Sequence, residues 1–189
     1  MIRITAGEWK GRGIATPPNL STRATQARLR QALFNSIQFQ IPHSKVLDLF
    51  AGSGSLSFEA LSRGALSAVL VENHPAALEV IGKNIRDLGA SSQVKVLKDD
   101  VLRSIPLALK SGPFDFVFAD PPYAENWEMK LLNGLPWNQL LTPRGVFCLE
   151  WGVQKSKIEE VPEETEHLEK IREKVYGDSV LSTYQRKSE

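Results

Sequence analysis

The residues best suited to chemistry are Asp120, Pro121, Pro122 and Tyr123, which directly follow the apolar run 114–119. An apolar run of this length is typical of a buried strand, so the tetrapeptide falls at the strand's carboxyl end. Consecutive prolines restrict the backbone and would aim the Asp120 carboxylate and the Pro121 carbonyl at one point. Two acceptors beside an aromatic ring suit a planar amine on a ring that stacks on Tyr123. A rigid turn without function is the alternative.

A second candidate site is a glycine loop made of Asp48, Phe50, Ala51, Gly52, Ser53 and Gly54. Its glycines permit positive φ angles, and the amides of a helix that follows would face a ligand. The loop lacks the Gly-Lys-Ser/Thr of a phosphate loop, and Ser57 stands where a dinucleotide fingerprint has its third glycine. Asp48 would repel phosphate and suit a cation. The loop therefore favours S-adenosylmethionine, a sulfonium cofactor with an amino-acid tail, over a ligand-free turn.

Acidic residues also end the next two apolar runs. Glu72, followed by Asn73, could bind both hydroxyls of a ribose, although a charge at the start of a helix near Pro75 is an alternative. Asp99 and Asp100 precede Val101. One of these two carboxylates could accept a hydrogen bond from an adenine amino group while Val101 packs on the ring, and the other would cap a helix. We include all five residues in the predicted cofactor site.

The elements that must position these residues alternate between strand and helix from residue 45 onward. This alternation predicts an α/β fold with a mostly parallel, Rossmann-like sheet and helices on both faces. The expected strands are 45–50, 67–72, 93–98, 114–119 and 145–151. The expected helices are 55–63, 75–88, 101–111 and 127–141, the last interrupted at Pro136. Residues 167–176 and 179–186 read as a closing antiparallel hairpin.

The first 43 residues predict a separate basic extension, followed by a catalytic domain over 44–189. Segments 2–6 and 12–15 would form a short hairpin, and a helix is expected from Thr25, its N-cap, to Gln38. Residues 1–44 carry a net charge of +5 and the rest of the chain −4. Such asymmetry favours a polyanionic partner, although a solvated basic surface is equally compatible. Trp9 could stack on a base or cover the core. The basic residues are Arg3, Lys10, Arg12, Arg23, Arg28 and Arg30.

Composition excludes several classes of protein. The 189 residues contain one cysteine and three histidines, so we expect neither a disulfide framework nor a metal site. Cys148 lies in an apolar run and is expected to be a buried, inert thiol. There is no signal-peptide pattern and no apolar run long enough for a membrane span. We therefore expect a cytoplasmic protein without a membrane partner.

The motifs together resemble a known superfamily. The order of the glycine loop, Glu72, the Asp99-Asp100 pair and Asp120 to Tyr123 is similar to class I S-adenosylmethionine-dependent methyltransferases that methylate amines. Both ends of the chain narrow this resemblance. The Arg3–Arg12 and Arg23–Asn35 blocks and the closing Lys174-Val-Tyr-Gly-Asp-Ser-Val-Leu resemble the RsmD-like ribosomal RNA (guanine-N2)-methyltransferases. The chain departs from that family's pattern at Ala24, Ala27 and Gln31.

The resemblance implies a substrate and a partner. The target would be the exocyclic N2 amine of a guanine in small-subunit ribosomal RNA, turned out of its stack into the pocket. The six basic residues of the extension would bind RNA phosphates, with strong salt dependence. The chain has little room for a separate target-recognition domain. We therefore expect recognition of folded RNA within a partly or fully assembled subunit, by a monomer.

Three other functions stay open. Adenine-N6 methyltransferases share the Asp-Pro-Pro-Tyr motif but usually carry a target-recognition region, for which we find no candidate segment in this sequence. Glutamine-N5 protein methyltransferases prefer asparagine where this chain has Asp120. A non-catalytic RNA-binding assembly factor on the same scaffold would not need an intact cofactor loop.

Overall fold

The computed structural model describes residues 1–18, 24–122, 125–152 and 160–188. It contains an α/β fold built on a seven-stranded sheet, as predicted. The strands of this sheet are β3 Lys45–Asp48, β4 Ser67–Val71, β5 Val94–Leu97, β6 Phe114–Ala119, β7 Leu141–Gly152, β8 Leu168–Tyr176 and β9 Ser179–Arg186. The helices are α1 Ala24–Ile37, α2 Ser55–Ser62, α3 Pro75–Leu88, α4 Val101–Leu109, α5 Trp127–Gly134 and α6 Trp137–Leu140.

The strand order in the sheet is β5-β4-β3-β6-β7-β9-β8. Strands β3 to β7 are parallel, whereas β9 pairs antiparallel with β7 and β8 with β9. The carboxyl ends of β3, β4, β5, β6 and β7 consequently meet at one edge. The order reverses between β4 and β6 on either side of β3, and ligands of open α/β sheets bind at such a switch point.

Two hydrophobic cores cover the faces of the sheet. Helices α4, α5 and α6 pack on one face, where Trp137 and Phe147 lie with their ring centroids 4.4 Å apart. Helices α1, α2 and α3 pack on the other face around Phe34, Phe58 and Phe118. Burial on both faces explains why the central strands are almost continuously apolar.

The N-terminal extension shares the second of these cores. Its hairpin consists of the two-residue strands β1 Ile2–Arg3 and β2 Gly13–Ile14, and Ile4, Trp9 and Ile14 are all buried. Of the two roles considered for Trp9, the structure places this residue in the core, with 6% of its surface exposed. The buried Glu59 of α2 accepts hydrogen bonds from the Thr5 amide (2.9 Å) and the Thr5 hydroxyl (2.5 Å). The extension is therefore attached to the sheet by both apolar and polar contacts.

Element boundaries agree with the sequence-based expectations to within a few residues. The break at Pro136 separates α5 from α6, and the closing hairpin is present as β8 and β9. Two expectations were wrong. Helix α1 begins at Ala24, so Thr25 lies inside its first turn and is not the N-cap. Strand β7 begins at Leu141, where residue 145 was expected, because its first residue pairs with Phe114 ahead of an irregularity.

The structure also bears on the predictions for membrane spans and for Cys148. Over the described ranges, no helix combines the length and apolarity needed to cross a bilayer. Cys148 is buried in β7, and burial raises the pKa of its thiol to about 12. The thiol is therefore protonated at neutral pH, in agreement with the predicted inert role.

Candidate active site

A cavity of about 620 Å³ opens at the carboxyl edge of the parallel strands. Most of the predicted site residues line it: Asp48, Phe50, Ala51, Gly52, Ser53, Glu72, Asn73, Asp99, Asp100, Val101, Asp120, Pro121 and Pro122. The parallel strands thus bring four separate sequence segments to one place. Tyr123 and Arg23 lie outside the described residues.

The glycine loop has the backbone conformation that its composition predicts. Gly52 and Gly54 adopt φ angles of 55° and 79°. A Cβ on Gly54 would lie 2.5 Å from Cε2 of Phe58, so a larger residue would displace the buried Phe58 ring. Gly54 is the predicted loop residue that is not part of the cavity lining. Its role is to let the chain turn into α2, while Gly52 presents its backbone to the cavity.

Asp48 lies beneath this loop with 1% of its surface exposed. Its Oδ2 accepts a hydrogen bond of 3.0 Å from the Ser57 hydroxyl. Burial raises the pKa of Asp48 to about 7, and the nearby charge of Glu72 adds to this effect. A buried carboxylate with a raised pKa favours a cationic ligand, because a positive charge would restore its ionised form.

Glu72 follows β4 and binds backbone amides on two sides. Its Oε2 accepts from the Gly52 amide at 2.8 Å. Its Oε1 accepts from the amides of Asn73 (2.9 Å) and His74 (2.8 Å). These bonds join the end of β4, the start of α3 and the glycine loop, and hold the Glu72 carboxylate at the cavity wall.

The structure separates the roles of Asp99 and Asp100. Asp100 is the N-cap of α4, where its Oδ1 accepts from the Leu102 amide at 2.9 Å. Asp99 forms an exposed ion pair of 3.2 Å with Arg103 and accepts from the Asp100 amide. The helix cap expected of one of the two residues is therefore Asp100, and both side chains border the cavity beside the buried Val101.

Asp120 stands at the end of β6 next to a second acid, Glu150 of β7. Ala119 and Leu149 are paired in the parallel register, so Asp120 and Glu150 are neighbours one residue further along. Burial, Glu150 and Asp48 together hold the pKa of Asp120 well above its usual range. Such a group binds a proton more readily than an ordinary carboxylate, which suits a residue placed beside an amine.

The cavity as described is strongly acidic. Seven carboxyl side chains border it, whereas its basic side chains are Arg30 and His74. The acids are Asp48, Glu72, Asp99, Asp100, Asp120, Glu125 and Glu150. Within the described ranges, no cluster of three His, Cys, Asp or Glu residues has the arrangement needed to hold a metal ion. The cavity therefore suits ligands that are cationic or rich in hydrogen-bond donors.

The basic residues of the extension do not share one environment. Arg3, Lys10, Arg12 and Arg28 are exposed, although Arg3 donates to the Gly11 carbonyl (2.8 Å) and Arg12 to the Asp87 carbonyl. Arg30 differs, since only 7% of its surface is exposed and it borders the cavity. Its Nη2 donates to the Arg3 carbonyl at 3.2 Å, and its buried Nε has no hydrogen-bond partner among the described residues.

Sequence reasoning assigned Arg30 to the phosphate-binding arm, did not consider Glu150 and did not include Trp127. Glu150 carries the same signal as Asp48, Glu72 and Asp120, because it is an acid directly after an apolar strand run. Trp127 lies at the cavity wall with its ring 5.1 Å from that of Phe50. No sequence pattern distinguishes that contact from ordinary core packing.

Comparisons with known proteins give the chain its family. A family model described as conserved hypothetical protein 95 matches residues 2–185. Ribosomal RNA small subunit methyltransferase D from Escherichia coli (strain K12) is 34% identical over 100% of this chain and 91% of that protein. The YlbH protein of Bacillus subtilis (strain 168) is 30% identical over 98% of this chain and 100% of its own length.

Solved structures agree with these relatives. The Escherichia coli yhhF structure matches with a TM-score of 0.84 and 33% identity, over 100% of this chain and 99% of that one. A Streptococcus pyogenes structure matches with a TM-score of 0.73 and 36% identity, over 84% and 95% of the two chains. Since the matches extend over nearly the whole sequence, the chain belongs to the family of ribosomal RNA small subunit methyltransferase D.

Proposed function

We propose that the protein transfers a methyl group from S-adenosylmethionine to the N2 amine of a guanine in small-subunit ribosomal RNA. The observation that carries this proposal is the acidic cavity in which Asp120 and Pro121 stand beside the glycine loop. The relatives' names agree with it, since the first of them is a ribosomal RNA small subunit methyltransferase.

The residues of β3, β4 and β5 fit the cofactor. The buried Asp48 favours the positive charges of the cofactor, and the turn from Ser53 into α2 offers backbone amides to the cofactor's carboxylate. Glu72 would bind the ribose hydroxyls. A carboxylate has about four acceptor positions, of which three are filled by backbone amides, so a bidentate contact requires one of these bonds to be released. When bound, the cofactor supplies a methyl group activated by its sulfonium charge.

The residues of β6 fit the amine. The Asp120 carboxylate and Pro121 carbonyl accept hydrogen bonds from the two amine protons and draw the nitrogen lone pair out of conjugation with the ring. Orientation of the nitrogen toward the methyl group supplies much of the rate. Because its pKa is raised, Asp120 is also suited to receive the proton that the amine loses.

The two charge patterns of the molecule support contacts of the RNA phosphates and of the target base with different surfaces. The acidic cavity disfavours phosphates, whereas the exposed cations of the extension attract them. The base is neutral and presents donors, so it alone enters the cavity, after leaving its stack. Folded RNA in a partly or fully assembled subunit would supply the shape that positions it, and we expect the enzyme to act as a monomer.

Deletion of the gene, followed by mass-spectrometric mapping of ribosomal RNA, tests this function. We expect one N2-methylguanosine to disappear from the small-subunit RNA and to return with the wild-type gene but not with Asp120→Ala. Loss of a methyladenosine would favour the adenine-N6 alternative. An unchanged RNA, together with loss of a methylated glutamine in a protein, would overturn the proposal.

A further inference from the structure

Glu150 is an acid in the cavity that the proposed function has not used. It lies in β7 with 7% of its surface exposed and borders the cavity together with Asp120. The residues two positions earlier, Phe118 and Cys148, are paired neighbours in the same core. Since side chains alternate along a strand, Asp120 and Glu150 point to that same face from adjacent strands.

The strand order places Glu150 on the substrate side. The residues suited to the cofactor follow β3, β4 and β5, whereas Asp120 follows β6 and Glu150 lies in β7, further from β4 and β5. A carboxylate at this position is separated by two strands from the predicted ribose contact after β4 and by three from the predicted adenine contact after β5. Its partner is therefore to be sought on the molecule that Asp120 also contacts.

Guanine presents two adjacent donors on one edge, the N1–H group and the N2 amine. Two neighbouring acceptors match this edge, one for each donor. Adenine has an acceptor at N1, which would face the carboxylate with its lone pair. We propose that Glu150 accepts a hydrogen bond from N1–H of the target guanine and thereby rejects purines without a proton on N1. This inference rests on the proposed function and assigns it a specificity-determining residue.

The matched substrate for a test is 2-aminopurine, which keeps the 2-amino group but has an unprotonated N1. The guanosine found by methyl mapping is replaced by 2-aminopurine in otherwise identical RNA, and kcat/KM is measured for both. For the wild-type enzyme we expect a preference for guanosine of about 10³-fold or more, since the lone pair on N1 of 2-aminopurine would face the Glu150 carboxylate. In Glu150→Gln the side-chain amide can donate to N1, so we expect the preference to fall to about tenfold or less.

Two controls separate specificity from folding. Glu128→Gln changes a buried glutamate of α5 that does not border the cavity, and it should leave the preference unchanged. Thermal unfolding and S-adenosylmethionine binding of Glu150→Gln should match the wild type. If Glu150→Gln loses activity equally on both RNAs, Glu150 has only a structural or electrostatic role and the inference is wrong. If the wild-type enzyme does not methylate the guanosine RNA, the proposed function itself fails.

Discussion

The two halves of the cavity differ in how their acids are held. On the β3–β5 side, Asp48, Glu72 and Asp100 already accept hydrogen bonds from a hydroxyl or from backbone amides. On the β6–β7 side, Asp120 and Glu150 are neighbouring acids, and their proximity contributes to the raised pKa of Asp120. The comparison indicates that the first half is preorganised, whereas the second half holds carboxylates whose proximity favours donors brought by the substrate.

The largest effect is expected from Asp120→Ala in the second half. Loss of an acceptor that orients the amine and takes up its proton should lower kcat by about 10³-fold. S-adenosylmethionine binding, measured by calorimetry, should change little because the cofactor contacts lie on the other half. Asp120→Asn keeps one acceptor oxygen and should lose less. Near-normal turnover by the Asp120→Ala variant would contradict the assignment of the amine contact to the β6–β7 half of the cavity.

Asp48→Asn tests the first half of the cavity through the free energy of unfolding. The pKa of Asp48 is raised from 3.8 to about 7, so the folded protein loses stability as pH rises between these values. Below pH 3.8 the Asp48 carboxyl is protonated in both the folded and the unfolded protein, so its burial carries no penalty for a charge. We expect Asp48→Asn to increase the free energy of unfolding at pH 8 by roughly 2–4 kcal/mol, with little gain at pH 4, in urea titrations of the cofactor-free protein. Equal gains at both pH values would contradict a buried charge.

Arg30 and Arg28 form a matched pair of positions for testing the two roles of basic residues in the N-terminal extension. Arg30 is buried at the cavity, whereas Arg28 is exposed on the same helix. Arg30→Ala should lower kcat by roughly 10- to 100-fold with a small change in salt dependence, because a buried guanidinium acts at the site. Arg28→Ala should weaken RNA binding a few-fold and reduce the slope of log K against log salt by about one.

The control is Lys110→Ala, an exposed cation after α4 on the opposite face of the sheet. This variant should leave both kcat and the salt slope unchanged. Identical salt slopes for Arg28→Ala and the parent would contradict the phosphate role, and identical kcat effects at Arg28 and Arg30 would contradict their separation.

The smallest effect is expected at Asn84, which connects the N-terminal extension to the glycine loop in the first half of the cavity. The buried Asn84 accepts from the Ala15 amide (2.9 Å) and donates to the Ser53 carbonyl (3.0 Å). Asn84→Ala removes these two bonds and a third, which Asn84 donates to the Ala15 carbonyl at 3.0 Å. It should lower cofactor affinity by about three- to tenfold while costing roughly 1–3 kcal/mol of stability. Isothermal calorimetry measures the first effect and urea unfolding the second. An unchanged affinity for S-adenosylmethionine would mean that Asn84 does not support the glycine loop.

The positions of the residues in the first half were largely predictable from the sequence, because Asp48, Glu72 and Asp99 each end or follow a short apolar run. The mostly parallel sheet followed from the alternation of strands and helices, and the closing hairpin was also predicted, whereas the order of the strands in the sheet was not. In the second half the position of Asp120 was predicted in the same way, whereas its pairing with Glu150 was not. The position of Arg30 depends on how α1 packs on the sheet. The proximity of Glu150 to Asp120 depends on the register between β6 and β7. Helix packing and strand pairing bring together residues that are distant in sequence, which local patterns do not reveal.

The most direct test of the central claim is methylation by the purified protein. Ribosomal RNA or subunits lacking the modification are incubated with isotopically labelled S-adenosylmethionine, and the product nucleosides are identified by mass spectrometry. We predict labelled N2-methylguanosine as the product with the wild-type enzyme, reduced by about 10³-fold with Asp120→Ala. Labelled N6-methyladenosine, or no transfer to RNA by a protein that binds the cofactor, would contradict the account.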